Sequence, residues 1–367
     1  MVVDDSAFMR KLIPAILGRD PEIDVAGTAM DGLFALQKVE RLRPDVVTLD
    51  LDMPRMNGLE TLRRLVVQHG LPVLVLSALS QKGAQLTMQA LELGAVDFLA
   101  KPRGAGIQGL EGLAGELIAK VKMAARVAPR PAAISECGTR IADCGTQAPE
   151  TSHPQAASRK PQAKAPAAAS VVAIGISTGG PQALSALLTR LPQDFPAGIL
   201  VVQHMPAGFT RMLAERLAHL SQLDVREAQD GDLVLAARVL IAPGNQHLTV
   251  VQKRLGVVAA LRGGAEVNGH RPSADVLFGS VAAIYGARAT GLVMTGMGED
   301  GAEGLRRIKA GGGTTLAQSE ATCVVPGMPR AAIERGVVDR VLSLEDLAQD
   351  LLELHGKGGT QDGAEEG

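Results

Sequence analysis

The stretch Val171-Val-Ala-Ile-Gly-Ile-Ser177-Thr-Gly-Gly-Pro181-Gln-Ala-Leu184 decides the fold class of the larger half of the chain. An apolar run of that length, Val171 to Ile176, is short for a helix and reads as a strand buried on both faces, as in a parallel sheet. The glycines after it allow a tight turn, and Pro181 suits the first position of a helix. Ser177 is therefore expected at the carboxyl end of a strand, where open parallel sheets bind their ligands. The same grammar recurs downstream. Ile199 to Gln203 and Gly291 to Thr295 are buried-type runs, each leading into a Gly- or Pro-marked loop and a helix. The last helix opens on a capping box, Ser343-Leu-Glu-Asp346. Residues 171–355 thus read as one α/β domain.

Upstream the pattern is repeated in smaller form. Val46 to Leu49 and Val73 to Leu76 read as buried strands, and Leu86, Ala90, Leu91 and Leu93 follow helical spacing up to Gly94 as a stop. Strand, helix, strand implies a second parallel sheet over residues 1–122. Between the two, residues 123–170 read as a flexible linker. From Ala128 to Ser170 the 43 residues include 12 Ala and 6 Pro, with Ile134 and Ile141 as the large aliphatics, too little apolar surface to offset the entropy of ordering. Flexible-chain scaling puts its ends roughly 35 Å apart. Residues 356–367 read as a disordered polar tail.

Composition narrows the function classes. With 37 Lys+Arg against 39 Asp+Glu there is no basic field for a phosphate backbone, and seven aromatics (six Phe, one Tyr) offer few stacking platforms. Nucleic-acid binding is disfavoured. Three cysteines do not make a disulfide framework and point to a reducing compartment, while the start carries neither a basic n-region nor an apolar h-region. A cytoplasmic location is expected. Cys137 and Cys144, at C-x6-C, lack zinc spacing, and Cys323 reads as a buried small apolar residue.

In the first domain the polar residues fall at strand ends: Asp4 and Asp5, Asp50, Ser77 and Lys101. Converging carboxylates suit a hard divalent cation, Mg²⁺ above all, and a lysine with a hydroxyl opposite would neutralise a phosphoryl group. Taken singly, Asp5-Ser6 reads equally well as a helix cap, Asp50 as a loop acid and Lys101 as a solvated charge. Together, VVDDS, TLDLDMPRMNG, VLS and DFLAKP, in that order, resemble a response-regulator receiver domain. The resemblance implies a flavodoxin-like 2-1-3-4-5 sheet and phosphorylation of Asp50 by a histidine kinase. It also implies Mg²⁺ held by Asp4, Asp5 and Asp50, phosphate contacts from Ser77 and Lys101, and a switch aromatic at Phe98. Only Met1-Val2-Val3 precede the acid pair, so the first strand is expected to be truncated, with native residues upstream of Met1.

In the second domain Ser177 needs a base and an orienting group to act as a nucleophile. His204 ends the next strand, and Asp300 lies in the loop after the third. His270 and His247 are the rival bases, Glu299 and Asp275 the rival carboxylates; as isolated residues Ser177 and Asp300 read as helix caps and His204 as a core histidine. GISTGGP, VQHMP, APGNQHL, HRPSADVLF, TGMGEDG and CVVPGMPR together resemble the catalytic domain of chemotaxis protein-glutamate methylesterases, the CheB family. The resemblance implies a Rossmann-like fold, a triad of Ser177, His204 and Asp300, an oxyanion site at the Met297 amide, and Thr178 lining the pocket. It further implies methylated chemoreceptors as substrate, glutamine deamidation at the same site, no cofactor for the ester chemistry, and a receiver that limits access until phosphorylated. The alternatives are a phosphorylation-switched scaffold without catalysis and an esterase for small or lipid esters; few aromatics and no apolar lid argue against a lipase.

Overall fold

The computed structural model describes residues 1–54, 56–101, 113–127 and 167–356. The Ala/Pro-rich stretch between 128 and 166, with Cys137 and Cys144, and the tail from 357 lie outside the described residues. The first sheet holds β1 (Val2–Val3), β2 (Thr28–Ala29), β3 (Val47–Asp50), β4 (Val73–Ala78) and β5 (Asp97–Lys101) in the order β2-β1-β3-β4-β5, every pair parallel. Helices α1 (Met9–Leu17), α2 (Gly32–Leu42), α3 (Gly58–His69), α4 (Gln81–Glu92) and α5 (Ala114–Ala124) surround it. β1 is two residues long and pairs with β2 on one side and β3 on the other, while the Met1 amine donates to the Val46 carbonyl oxygen at 2.8 Å. The order reverses between β1 and β3. Asp4 and Asp50 stand at the carboxyl ends of those two strands, so this switch point places the acidic cluster.

The second sheet has seven strands: β6 (Val171–Ile176), β7 (Gly198–Gln203), β8 (Asp224–Glu227), β9 (Arg238–Ile241), β12 (Ala289–Val293), β13 (Thr314–Gln318) and β14 (Arg340–Leu342). They run β14-β13-β12-β6-β7-β9-β8, all pairs parallel. β6, β7 and β12 are buried at every residue, as their apolar runs require. Helices α6 (Gly180–Leu188), α7 (Phe209–Leu220), α8 (Ala274–Tyr285), α9 (Ala302–Ala310), α10 (Gly327–Glu334) and α11 (Leu347–Gly356) flank the sheet. The Ser343 hydroxyl accepts from the Asp346 amide at 3.2 Å just before α11, as the capping box predicts. The third strand sits two residues earlier than the sequence reading places it. An antiparallel hairpin, β10 (His247–Lys253) and β11 (Gly256–Arg262), was not anticipated; it packs Leu248, Val250 and Ala259 into the core with Leu277 and Phe278 of α8.

Order extends into the ends of the stretch read as linker. α5 runs to Ala124, Ala167 bridges Leu235, and the Ala168 amide donates to the Val234 carbonyl oxygen at 3.2 Å.

The two α/β units pack against each other through α4, β5 and α5 of the first and α6 and α7 of the second. Phe98 stacks on Phe209 with centroids 4.8 Å apart. The Thr178 hydroxyl donates to Asp97 Oδ2 at 2.6 Å, and Lys120 Nζ reaches the same oxygen at 2.7 Å. Gln182 Nε2 donates to the Leu91 carbonyl oxygen at 2.7 Å, and Arg216 pairs with Glu92. Val96, Met123 and Ala124 join Val325 in a small apolar cluster, with Met297 against it. Among the described residues no helix is long and apolar enough to cross a membrane.

Candidate active site

The chain enters the second sheet at β6, moves to β7 on one side and later returns to β12 on the other. The crevice at the carboxyl end of β6 is therefore that sheet's switch point. Ser177 follows β6, His204 follows β7, and Asp300 lies in the loop after β12. Backbone bonds lock the three loops together: the Ser177 amide donates to the Thr295 carbonyl oxygen and the His204 amide to that of Ile176, both at 3.0 Å. Gln203 Nε2 donates to the Ser177 carbonyl oxygen at 2.8 Å. Gly296 is required here, because a Cβ on it would lie 2.8 Å from that of Ser177.

His204 Nε2 lies 2.8 Å from Asp300 Oδ2, with side chains 6% and 1% exposed. Among the described residues four further donors converge on the carboxylate, among them the Asp275 amide on Oδ1 at 3.3 Å. The Ser273 hydroxyl reaches Oδ1 at 2.7 Å, Asn268 Nδ2 reaches it at 3.0 Å, and the Ala274 amide reaches Oδ2 at 2.6 Å. Burial works to raise the Asp300 carboxyl, but the bonds from His204, Ser273 and Ala274 prevail and hold it well below the usual carboxylate range. An ionised carboxylate only accepts, so Nε2 carries the proton and Nδ1 carries the lone pair. Nδ1 is buried and has no hydrogen-bond partner among the described residues. It is a free base. Gly301, not Asp300, is the N-cap residue of α9, and Gly179 is that of α6, so neither Asp300 nor Ser177 acts as the cap that each could be on its own.

Ser177, Thr178, His204, His270 and Met297 line one cavity. Among the described residues no hydrogen bond joins Ser177 Oγ to His204, and none is made by the Met297 amide. Catalytic bonds in ligand-free enzymes often tighten only once substrate binds. The rivals fall into other roles. His247 is buried, taking the Ser273 amide on Nδ1 at 3.2 Å and meeting the Ala265 carbonyl oxygen through Nε2 at 3.0 Å. Glu299 pairs with Arg335 at the surface, and Asp275 accepts from Asn268 and the Gly304 amide. Cys323 is buried.

His270, the runner-up base, stacks on His204 with centroids 3.8 Å and planes 12° apart. Burial first, then the neighbouring His204, lowers its imidazole from 6.5 to about 4. Between those values the unfolded chain binds the proton and the folded chain does not, so this group's stabilising contribution is complete above 6.5 and is lost as pH falls toward 4. His270→Gln should therefore shrink the loss of denaturant midpoint between about pH 7 and about pH 4.5. A loss as large as that of the parent chain would overturn the assignment.

In the first domain oxygens of Asp4, Asp5 and Asp50 lie within 4.8 Å of one another. Three converging carboxylates are the hard donor set that Mg²⁺ takes, so these residues fit the ion. Lys101 Nζ sits between Asp50 Oδ2 at 2.7 Å and Asp4 Oδ2 at 2.9 Å. Burial pushes the Lys101 ammonium down, but the two carboxylates outweigh it and raise it. Burial, with the charge of Asp4, raises the Asp50 carboxyl against the pull of Lys101. Ser77 turns elsewhere: it donates to the Gly83 carbonyl oxygen at 3.1 Å and accepts from the Thr87 hydroxyl at 2.6 Å. Phe98 points into the interface between the domains. Asn268, Ser273, Asp97 and Thr87 were not singled out from sequence; only the Ser-Ala-Asp run after HRP, an N-cap signal, hinted at Ser273.

Comparison with known proteins identifies the family. A family model described as CheB methylesterase matches residues 172–351, and one described as response regulator receiver domain matches residues 1–106. The protein-glutamate methylesterase/protein-glutamine glutaminase 2 of Koribacter versatilis (strain Ellin345) is 51% identical over 355 residues, 96% of this chain and 94% of that protein. The protein-glutamate methylesterase/protein-glutamine glutaminase of Pyrococcus horikoshii is 45% identical over 352 residues, 96% of this chain and 92% of that protein. The crystal structure of the Thermotoga maritima CheB methylesterase catalytic domain matches with a TM-score of 0.50 at 43% identity, covering 50% of this chain and 98% of that one. Two switch-point sites on two parallel sheets, and relatives aligned across both, give one conclusion: the chain belongs to the CheB methylesterase family and carries a response regulator receiver domain ahead of its catalytic part.

Proposed function

We propose that this chain is a serine hydrolase that demethylates glutamate γ-methyl esters on chemoreceptors, deamidates glutamines at the same site, and is activated by phosphorylation of Asp50. The observation that carries the reading is the His204–Asp300 pair, whose imidazole lines one cavity with Ser177. His204 Nδ1 takes the Ser177 proton as Oγ attacks the γ-carbonyl carbon. The Asp300 carboxylate keeps the proton on Nε2 and stabilises the imidazolium. The Met297 amide faces the oxyanion. The Ser177 proton passes from His204 to the departing methoxide, and methanol leaves. Water then cleaves the glutamyl-serine ester, again with His204 as base, restoring the glutamate carboxylate. With a glutamine in the site, ammonia leaves in place of methanol.

In the receiver domain the phosphodonor is the phosphohistidine of a chemotaxis-type histidine kinase. Asp4, Asp5 and Asp50 would hold Mg²⁺, which when bound neutralises phosphate charge, while Lys101 and Ser77 contact the phosphoryl oxygens. Phosphorylation adds roughly −1.5 to −2 charges at Asp50, and it weakens the packing of α4, β5 and α5 on the catalytic domain through Ser77 and Phe98. The linker lets the domains part without unfolding. The enzyme, its kinase and the receptor region it demethylates all belong to the cytoplasm. The test is methanol release from membranes carrying methylated receptor, with and without acetyl phosphate and Mg²⁺. No release under either condition, from folded protein, would sink the reading.

A further inference from the structure

We infer that the docked, unphosphorylated enzyme is already a competent hydrolase for small carboxylic methyl esters, because the receiver excludes substrates by size and leaves the catalytic groups assembled. The inference rests on the serine-hydrolase reading above and concerns what the site admits before activation.

Among the described residues the docked domains do not seal the site. They enclose a cleft of about 810 Å³ whose walls include Ser177, His204 and Met297 from one domain and Phe98 and Lys120 from the other. Small-molecule sites typically measure about 300–1,000 Å³, so a single ester side chain has ample room. The mouth reaches solvent, since Gly115 and Glu116 on one lip and Glu266 and Gly269 on the other are exposed. A receptor segment is another matter. A helix with its side chains is about 10–12 Å across, and it would have to reach Ser177 through the space that α5 and β5 of the receiver occupy.

The base and its orienting carboxylate are paired in this docked form. Nε2 of His204 stays on Asp300, Nδ1 is unpartnered, and Ser177 is only half-buried. Among the described residues the receiver's one polar hold on the neighbouring loop, the Asp97 carboxylate accepting the Thr178 hydroxyl, engages the residue after the nucleophile and leaves Ser177 Oγ untouched. The reaction balances without any further reactant. Ser177 Oγ bonds the ester carbonyl carbon, the C–OCH₃ bond breaks, and methanol leaves with the serine proton. Water then releases the carboxylic acid and restores the serine hydroxyl.

The full chain would be assayed for methanol release from two substrates, the γ-methyl ester of N-acetyl-glutamate α-amide and methylated receptor membranes, each with and without acetyl phosphate and Mg²⁺. The expected result is that acetyl phosphate changes the small-ester kcat/KM by less than about threefold while receptor demethylation rises by about tenfold or more, on the scale of allosteric couplings. Equal activation of both substrates would overturn the inference, since docking would then disable the chemistry itself. So would a small ester left untouched by an enzyme that demethylates the receptor, or small-ester turnover that survives Ser177→Ala. Failure on both substrates even after phosphorylation would count against the hydrolase reading instead.

Discussion

Ser177→Ala should lower methanol release from methylated receptor by about 10⁴-fold or more, the scale on which deleting one member of a working triad acts. His204→Ala should match it, and the double variant should lose little beyond either, because nucleophile and base act as one unit. Asp300→Asn sharpens the test. The carboxylate keeps the proton on Nε2 of His204; a carboxamide can instead donate to Nε2, moving the imidazole proton to Nδ1 and removing the lone pair that the proposed mechanism uses to take the serine proton. An effect of about 10⁴-fold is expected, as for other triads forced into the wrong tautomer. Asp300 also receives the Ser273 hydroxyl and the Ala274 amide at the start of α8, so thermal unfolding of Asp300→Asn must be measured alongside. Activity within tenfold of the parent chain in Ser177→Ala or His204→Ala would refute that residue's role.

The fold was legible because apolar runs such as Val171 to Ile176 and Val73 to Leu76 suit strands buried on both faces, and their alternation with helical patterns points to parallel sheets. Strand ends then located Ser177, His204, Asp50 and Lys101 without any contact information. The hairpin β10–β11 escaped for a definite reason. Its turn, Arg254-Leu255, lacks the Asn-Gly or Asp-Gly signal of a two-residue loop, and nothing local distinguishes its strands from their parallel neighbours. Asn268 escaped because its task, donating to Asp300 from a left-handed turn at φ 55°, depends on residues 32 positions apart meeting in space. Asp97 reads in sequence as one more acid beside Phe98. Its value comes from packing, which pairs it with Lys120 from α5 and with Thr178 from the other domain.

Asp97→Ala should raise methanol release in the absence of phosphodonor by about tenfold. Asp97 Oδ2 accepts the Thr178 hydroxyl at 2.6 Å in a buried contact between the domains. A hydrogen bond to a charged group contributes roughly 1.5–3 kcal/mol, and about 1.4 kcal/mol is tenfold in an equilibrium constant. Losing the bond therefore multiplies the undocked fraction about tenfold or more, and receptor demethylation follows that fraction until undocking is complete. The remaining contacts, Phe98 on Phe209 and Gln182 on the Leu91 carbonyl, keep the domains from separating outright, which sets the lower end of the range as the expected value. Asp97→Asn retains an acceptor without the charge and should fall between Ala and the parent. A chain starting at Ala167, which keeps the Ala167–Leu235 bridge, gives the upper limit because it has nothing to undock. The gain must also shrink the response to acetyl phosphate by the same factor, since both draw on one docking equilibrium. Basal release unchanged in a folded Asp97→Ala chain, with activation by acetyl phosphate intact, would show that this contact does not hold the domains together.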